Sequence, residues 1–333
     1  MKTAIVFTNI GTPKSPAVKD VANYLNQFLM DPGVISLPFL LRWILVKLII
    51  VPRRAPISAG NYQRIWMDQG SPLMVHSKNF LNKVQKQLPN KAIFKIAMNF
   101  GEPSIDSVLS ELKDLKIEKM ILVPMFPQFA KATTQSTIDL VNAELKKLGN
   151  PFKMQIFGDF FDQDFYLDPI CQMMKKYDLQ SYDKILFSYH GLPISQVKEN
   201  PSCQLTQACC QGSNRCYRSH CYKTTQKLVQ KLGISSDKAV TTFQSRLGRK
   251  EWLQPYTTDV INELPKQGHK KILIVSPAFV ADCLETLEEI NIGLKEEFLH
   301  SGGTRFDLVP CLNDFDPWVE GFCSHLLLNS KVF

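Results

Sequence analysis

Lys184-Ile-Leu-Phe-Ser-Tyr-His-Gly-Leu-Pro193 decides how the rest of the chain is read. Its first six residues, Lys184 to Tyr189, form a short β-favouring run, as expected of a buried strand. The run delivers His190, and Gly191-Leu192-Pro193 then turns the chain. Ligands of an open α/β sheet bind in the crevice beyond the carboxyl ends of its strands. A histidine at that place is a candidate for chemistry, and the competing reading is a histidine that merely caps or packs.

Strand-like runs alternate with amphipathic stretches on both sides of this segment. Strands are expected at 4–9, 93–98, 120–124, 154–158, 185–189, 240–243, 272–276 and 306–310, and helices at 104–115, 134–148, 222–232 and 283–299. Such alternation reads as parallel sheets with crossover helices. The two halves also echo each other. Thr8-Asn9-Ile10-Gly11-Thr12-Pro13 ends the first strand as Ser188-Tyr189-His190-Gly191-Leu192-Pro193 ends the central one. Ile121-Leu122-Val123 before Pro127-Gln128-Phe129 is matched by Ile272-Leu273-Ile274-Val275 before Pro277-Ala278-Phe279. The expectation is an α/β protein of two similar doubly wound parallel-sheet domains, 1–150 and 151–305, facing across a cleft. Residues 306–333 form a C-terminal segment that can return to the first domain.

A length of 333 residues suits two domains of ordinary size. With 44% hydrophobic and 21% charged residues, the composition is that of a soluble globular protein. The net charge of +8 is diffuse. It suits a surface that meets anionic lipid or an acidic ligand, and it gives no footprint for nucleic acid. No feature of the sequence specifies an oligomer. Met1-Lys2-Thr3-Ala4-Ile5-Val6-Phe7 followed by Gly11-Thr12-Pro13 reads as a first strand and turn, not a signal peptide. The nine cysteines are therefore expected to be reduced, in a cytoplasmic protein.

Residues 37–51 are the most apolar segment, interrupted by Arg42 and Lys47 and followed by Pro52-Arg53-Arg54. The segment is short for a membrane span. It reads either as a membrane-interface or pocket-lip helix or as a buried one. Arg42 and Lys47 are costly in a core and favour the first reading.

Pro277-Ala278-Phe279-Val280-Ala281-Asp282-Cys283-Leu284-Glu285-Thr286-Leu287-Glu288-Glu289 also follows a strand and opens a helix. Glu285 and Glu289 then share a helix face, and stacked carboxylates repel unless a cation or proton lies between them. The alternative is a solvated acidic first turn, with Asp282 as an N-cap. An imidazole and a carboxylate from His190 and Glu285 can bind a divalent metal or relay protons. Two firm ligands hold a metal loosely, which suits a metal that is handed over. Gln244-Ser245-Arg246-Leu247-Gly248-Arg249 with Trp252 combines cations with a flat indole, or is an ordinary charged loop.

Together with Asn9-Ile10-Gly11-Thr12-Pro13, Arg53-Arg54-Ala55-Pro56, Tyr62, Gly70-Ser71-Pro72-Leu73 and Pro127-Gln128-Phe129, these motifs form an ordered set along almost the full chain. In that set the chain resembles ferrochelatase, the enzyme that inserts ferrous iron into protoporphyrin IX in haem synthesis. The resemblance implies two Rossmann-like domains with the porphyrin held in the cleft between them. It implies that His190 and Glu285 are the pair at the metal and proton-abstraction site, with Glu289 continuing the acidic face. Ile10, Tyr62 and Trp252 fall where the family lines the macrocycle pocket, and Arg53, Arg54 and Arg246 are matched to propionates. Residues 37–51 match the apolar lip through which porphyrin passes from a membrane surface, implying peripheral contact at the inner face of the membrane. Two departures stand out. Asn99 occupies a place where some relatives carry arginine, and Cys283 one where animal relatives carry histidine.

Five of the nine cysteines fall in the segment 200–221, which reads as an insertion before a helix. Clustered thiolates suit an iron–sulfur cluster or zinc, and the lack of a Cys-x-x-Cys pair weakens zinc. The stretch resembles the internal segment of those bacterial ferrochelatases that carry a 2Fe-2S cluster. That resemblance implies Cys203, Cys210, Cys216 and Cys221 as ligands, with Cys209 the rival to Cys210. The alternative is a loop of reduced surface thiols, a liability for most proteins.

Three functions compete on this reading. They are iron insertion into protoporphyrin, a chelatase for coproporphyrin or another divalent metal, and a non-catalytic haem- or metal-binding relative. The apolar lip favours the first, and the pairing of His190 with Glu285 argues against the last.

Overall fold

The computed structural model describes residues 2–35, 37–198, 203, 205, 215–248 and 250–328. The chain divides into two compact units: Met1–Phe126, Ala130–Gly158 and Cys323–Phe333 form one, and Pro127–Phe129 with Asp159–Phe322 the other.

The first unit contains β1 (Thr3–Gly11), α1 (Val18–Leu29), α2 (Phe39–Ile44), α3 (Val51–Ile65), α4 (Pro72–Gln87), β2 (Ile93–Phe100), α5 (Ile105–Asp114), β3 (Lys119–Pro124), α6 (Ser136–Lys147) and β4 (Lys153–Ile156). Its sheet is parallel, in the order β2-β1-β3-β4. β1 pairs on both sides, with Ala4 opposite Ile93 and Met120. Its residues Thr3 to Thr8 are all buried, the condition that favours an almost unbroken apolar strand. Ala4 and Val6 point to one face and pack with Met120, Leu122 and residues of α5 and α6. Phe7 points to the other face, edge-on to Phe80 of α4 at 5.4 Å. The Gly70-Ser71-Pro72-Leu73 motif is the start of α4. Ser71 Oγ accepts the Met74 amide at 3.4 Å, and Pro72 enters the first turn, where no partner for its missing N–H is needed.

Residues 39–65 form one helical run, in which a π-helical turn (Leu45–Ile50) joins α2 to α3. Val46, Val51 and Ala55 pack inward against Leu29. Phe39 and Leu40 are each 66% exposed and Ile57 68%, so the segment does present an apolar surface. The charge expected to hold that surface outward lies elsewhere. Arg42 is not on the outer face but buried, its guanidinium donating to the carbonyls of Ile35 (3.1 Å) and Leu37 (3.0 Å). The charge lies inside because it satisfies turn carbonyls, and the apolar side chains lie outside. No helix among the described residues is long and apolar enough to cross a membrane.

The second unit contains α7 (Asp164–Met174), β5 (Lys184–His190), α8 (Ile194–Val197), α9 (Tyr217–Leu232), β6 (Ala239–Gln244), α10 (Thr257–Glu263), β7 (Lys271–Val275), α11 (Lys295–His300) and β8 (Arg305–Leu308), and α12 (Asp316–Leu328) crosses the unit boundary. A π-helical stretch (Glu285–Leu294) leads into α11. Its parallel sheet runs β6-β5-β7-β8, the same relative order as the first. Leu186, Ile272 and Ile274 pack with Ile261, Ile290 and Phe298 on one face. These are two Rossmann-like units.

The unit limits differ from 150 and 305. β4 pairs with β3, which keeps the chain in the first unit to Gly158. β8 pairs with β7, which holds 306–322 in the second unit, and residues from Cys323 onward group with the first.

Candidate active site

The site is best built from the end of β5. His190 lies in register with Gln244 at the end of β6. The Gly191 amide donates to the Gln244 carbonyl at 2.8 Å. A Cβ on Gly191 would lie 2.8 Å from that oxygen and 3.2 Å from Trp252 Cε3, so glycine is required for the close approach. His190 Nδ1 lies 2.7 Å from the Gly191 carbonyl oxygen. A carbonyl can only accept, so Nδ1 carries a proton, and in the neutral ring Nε2 is then the atom with the free lone pair. The half-buried ring lies between Trp252 (centroids 6.4 Å apart) and Phe279 (6.5 Å). The His190 carbonyl accepts the Tyr217 hydroxyl at 2.7 Å.

Gln244 ties this edge to the acidic helix. Its Oε1 accepts from Ser188 Oγ (2.7 Å), and its Nε2 donates to the Glu285 carbonyl (3.3 Å). Ser188 Oγ also contacts Thr257 Oγ1 at 2.9 Å, and Thr257 Oγ1 donates to Thr242 Oγ1 at 2.9 Å. The result is a satisfied buried hydroxyl network beneath the base.

Glu285 and Glu289 are half-buried on the π-helical stretch, and Glu288 between them is buried. π-helical turns occur often at functional sites. Ser245 Oγ donates to the Glu289 carboxylate. The Cys283 thiol hydrogen-bonds Glu285, and burial, reinforced by the Glu285 charge, pushes that thiol well up. Cys283 therefore stays protonated and acts as a donor to the carboxylate rather than as a thiolate ligand. Asp282 is not the N-cap, a place held by Leu284. It accepts from Asn313 Nδ2 (2.7 Å), Thr286 Oγ1 (3.0 Å) and the Cys311 amide (3.2 Å), fastening residues 311–313 to the start of the helix.

The Pro127-Gln128-Phe129 motif docks against the same wall. Gln128 Nε2 donates to Thr224 Oγ1 (3.2 Å) and to the Pro277 carbonyl (3.3 Å), and that carbonyl also accepts the Tyr166 hydroxyl. The Phe129 amide donates to His220 Nδ1 at 3.2 Å. His220 stacks on Phe161 at 3.8 Å, and burial lowers its pKa to about 4, leaving it neutral.

Of the cysteine segment, Cys216 is the N-cap of α9, Cys221 is buried in its second turn and Cys203 is half-buried. Cys209 and Cys210 lie outside the described residues. Arg215 pairs with Asp159 at 3.0 Å and lies 3.9 Å over the Phe129 ring. No group of three or more His, Cys, Asp or Glu side chains among the described residues is arranged to hold a metal ion.

The remaining sequence candidates fall in both units. In the first, Ile10 is half-buried at the end of β1 and Tyr62 is buried edge-on to Trp66 at 6.0 Å. Arg53 and Arg54 are exposed on α3, and Arg53 Nη1 donates to the Ile49 carbonyl at 3.2 Å. Asn99 is committed to Thr137, with Nδ2 2.8 Å from Oγ1. In the second unit, exposed Arg246 lies 4.8 Å over the Tyr256 ring. The buried indole N–H of Trp252 has no hydrogen-bond partner among the described residues. The structure thus groups Trp252 with His190 and joins Glu285 and Glu289 to that sheet edge through Gln244 and Ser245. Sequence reasoning missed Gln244, Ser245, Glu288 and Tyr217. The first two stood inside a quoted motif, eclipsed by Arg246, and Tyr217 stood next to a proposed ligand cysteine.

A family model described as Ferrochelatase matches residues 2–327. The ferrochelatase of Bdellovibrio bacteriovorus is 42% identical over 327 residues, which cover 96% of this chain and 97% of the relative. That of Ectopseudomonas mendocina is 41% identical over 324 residues, 95% of each chain. Among solved structures, SirB from Bacillus subtilis with Fe3+ has a TM-score of 0.58 at 10% identity, covering 98% of this chain and 95% of that one. The sirohydrochlorin chelatase SirB from Bacillus subtilis subspecies spizizenii in complex with cobalt gives 0.55 at 8% identity, covering 99% and 96%. At such identity these two structures bear on the fold alone. The sequence matches run at about 40% identity through both units, and on them the chain belongs to the ferrochelatase family.

Proposed function

We propose that the chain inserts ferrous iron into protoporphyrin IX to give protohaem, with His190 as the base that takes the pyrrole protons. In the reaction two N–H bonds break, iron–nitrogen bonds form and two protons leave, with no change in the oxidation state of iron. The observation that carries this reading is the 2.7 Å contact of His190 Nδ1 with the Gly191 carbonyl, which in the neutral ring places the proton on Nδ1 and leaves the Nε2 lone pair free. When Nε2 takes a proton, the Nδ1–H···O=C bond becomes charge-assisted and stabilises the imidazolium. A positioned base of this kind contributes about 10²–10⁴-fold to a rate.

Glu285 and Glu289 guide iron to the ring and carry protons away. Ser245 orients Glu289, and Cys283 and Gln244 steady Glu285. Ile10, Tyr62 and Trp252 contact the macrocycle, and Arg53, Arg54 and Arg246 meet its propionates. The exposure of Phe39, Leu40, Leu48 and Ile57 beside Lys47, Arg53 and Arg54 supports a peripheral contact with an anionic membrane face, the inner face for a cytoplasmic enzyme. It also favours a less acidic porphyrin over coproporphyrin.

A 2Fe-2S cluster is held by Cys203, Cys210 (or Cys209), Cys216 and Cys221. The donors fit in kind: soft thiols spread over positions 203–221, with Cys216 at the N-cap of α9 and Cys221 in its second turn. The cluster supplies a one-electron centre, which the proton abstraction at His190 does not use.

Purified protein given ferrous iron with protoporphyrin and coproporphyrin in parallel, read by absorbance of the metallated product, tests the reaction. Faster turnover of protoporphyrin, lost in His190→Ala although porphyrin still binds, is expected. Retained turnover in that variant removes His190 as the base, and preference for coproporphyrin replaces the substrate. Colourless protein without iron or acid-labile sulfide rules out the cluster.

A further inference from the structure

The peptide group that joins His190 to Gly191 is held at both ends. Its N–H donates to the Gln244 carbonyl at 2.8 Å, and its C=O accepts the Tyr217 hydroxyl at 2.7 Å. The first contact belongs to the sheet edge. The second comes from the first residue of α9, directly after Cys216. The imidazole in turn bonds the Gly191 carbonyl, so the contact that sets its tautomer depends on how this stretch of backbone is pinned.

The first turn of α9 is itself braced on two further sides. Arg215 pairs with Asp159 and covers the Phe129 ring, and His220 accepts the Phe129 amide while stacking on Phe161. Those two contacts fix the end of the cysteine segment to the body of the second unit. Tyr217 reaches from that end to the strand carrying His190.

We propose that Tyr217 is a positioning residue for His190, through which the braced first turn of α9 sets the orientation of the base. The proposal rests on His190 being the proton acceptor. A phenol hydroxyl is well suited to the task, because it lies at the tip of a stiff ring and gives one directed bond to the carbonyl. Loss of the hydroxyl frees the carbonyl end of the peptide and lets the imidazole drift, while the surfaces that bind porphyrin are untouched. Displacement of a catalytic group by about 1 Å can cost up to 10²-fold.

The test compares Tyr217→Phe and Cys216→Ser with the wild-type chain, by steady-state kinetics and by the imidazole nitrogen NMR signals of His190. Tyr217→Phe is expected to lower kcat roughly tenfold with KM for porphyrin unchanged, and to shift the His190 signals. Cys216→Ser is expected to shift the same signals in the same direction. A folded Tyr217→Phe variant with wild-type kcat and unshifted signals overturns the proposal, and unshifted signals in Cys216→Ser overturn its link to the start of α9. Substitution of Tyr217 by 3-fluorotyrosine, which keeps the ring and strengthens the donor, must also move the His190 signals; no movement overturns the proposal even if Tyr217→Phe does not fold. Turnover that survives His190→Ala would defeat the base itself, an outcome distinct from failure of the Tyr217 variants.

Discussion

At the end of β1 a Cβ on Gly11 would fall 1.7 Å from the Phe100 carbonyl oxygen, and at the end of β5 one on Gly191 would fall 2.8 Å from that of Gln244. Each glycine ends an interior strand of a parallel sheet, and the two sheets share one relative order. The residue before the glycine is Ile10 in the first copy and His190 in the second. Near Ile10 the turn is closed locally, by its amide donating to Asn9 Oδ1 at 2.8 Å. Near His190 the support is long-range, from Gln244, Tyr217 and the Ser188–Thr257–Thr242 hydroxyls. One architecture thus provides two equivalent sheet-edge positions that differ in their polar support. Fold and function separate here within a single chain.

The largest effect expected from breaking this comparison is on folding. Gly11→Ala places a side chain at a φ of +105° and against a backbone oxygen, and the loss should exceed about 3 kcal/mol, read as a first unit that does not unfold cooperatively in urea. Gly191→Ala meets a looser contact, and its cost should be about 1–2 kcal/mol, with turnover reduced through displacement of Trp252. The equivalence of the two turns fails if Gly191→Ala proves the more damaging to stability.

Acid sharpens the contrast from the side of the second unit. Buried His220 has a folded pKa of about 4, below the usual histidine value, so between the two the unfolded chain binds a proton that the folded chain refuses. Its stabilising contribution is complete above the unfolded value and is lost as pH falls toward 4. Between pH 7 and 5.5 this group should cost about 1 kcal/mol. Urea denaturation at the two pH values should show that loss in the wild type and its absence in His220→Gln. A smaller effect is expected at Ser245→Ala, which removes the donor to Glu289. KM for ferrous iron should rise a few-fold with KM for porphyrin unchanged, consistent with about 1 kcal/mol for one hydrogen bond.

Much of this was legible in the chain. Period and punctuation located all eight strands found among the described residues, because a buried parallel strand must be an apolar run. The repeat of Thr8–Pro13 at Ser188–Pro193 announced the shared strand-end turn. What stayed hidden depends on side-chain pairs distant in sequence. Nothing in the local pattern joins Gln244 to Ser188 and Glu285, or Tyr217 to His190. Arg42 was misread for a related reason, since an arginine in an apolar stretch looks outward until the turn carbonyls it satisfies are seen. The unit limit at Gly158 escaped because the strand at 154–158 is visible in the sequence but its pairing with β3, which keeps it in the first unit, is not.

The most direct measurement of the central claim is the pair His190→Ala and Ile10→Ala, assayed side by side for iron insertion and for porphyrin binding. The account predicts that His190→Ala binds porphyrin but loses at least about 10²-fold in turnover, whereas Ile10→Ala keeps kcat within a few-fold and weakens porphyrin binding. Turnover near the wild-type rate in His190→Ala, or an equal loss of kcat in Ile10→Ala, would contradict it.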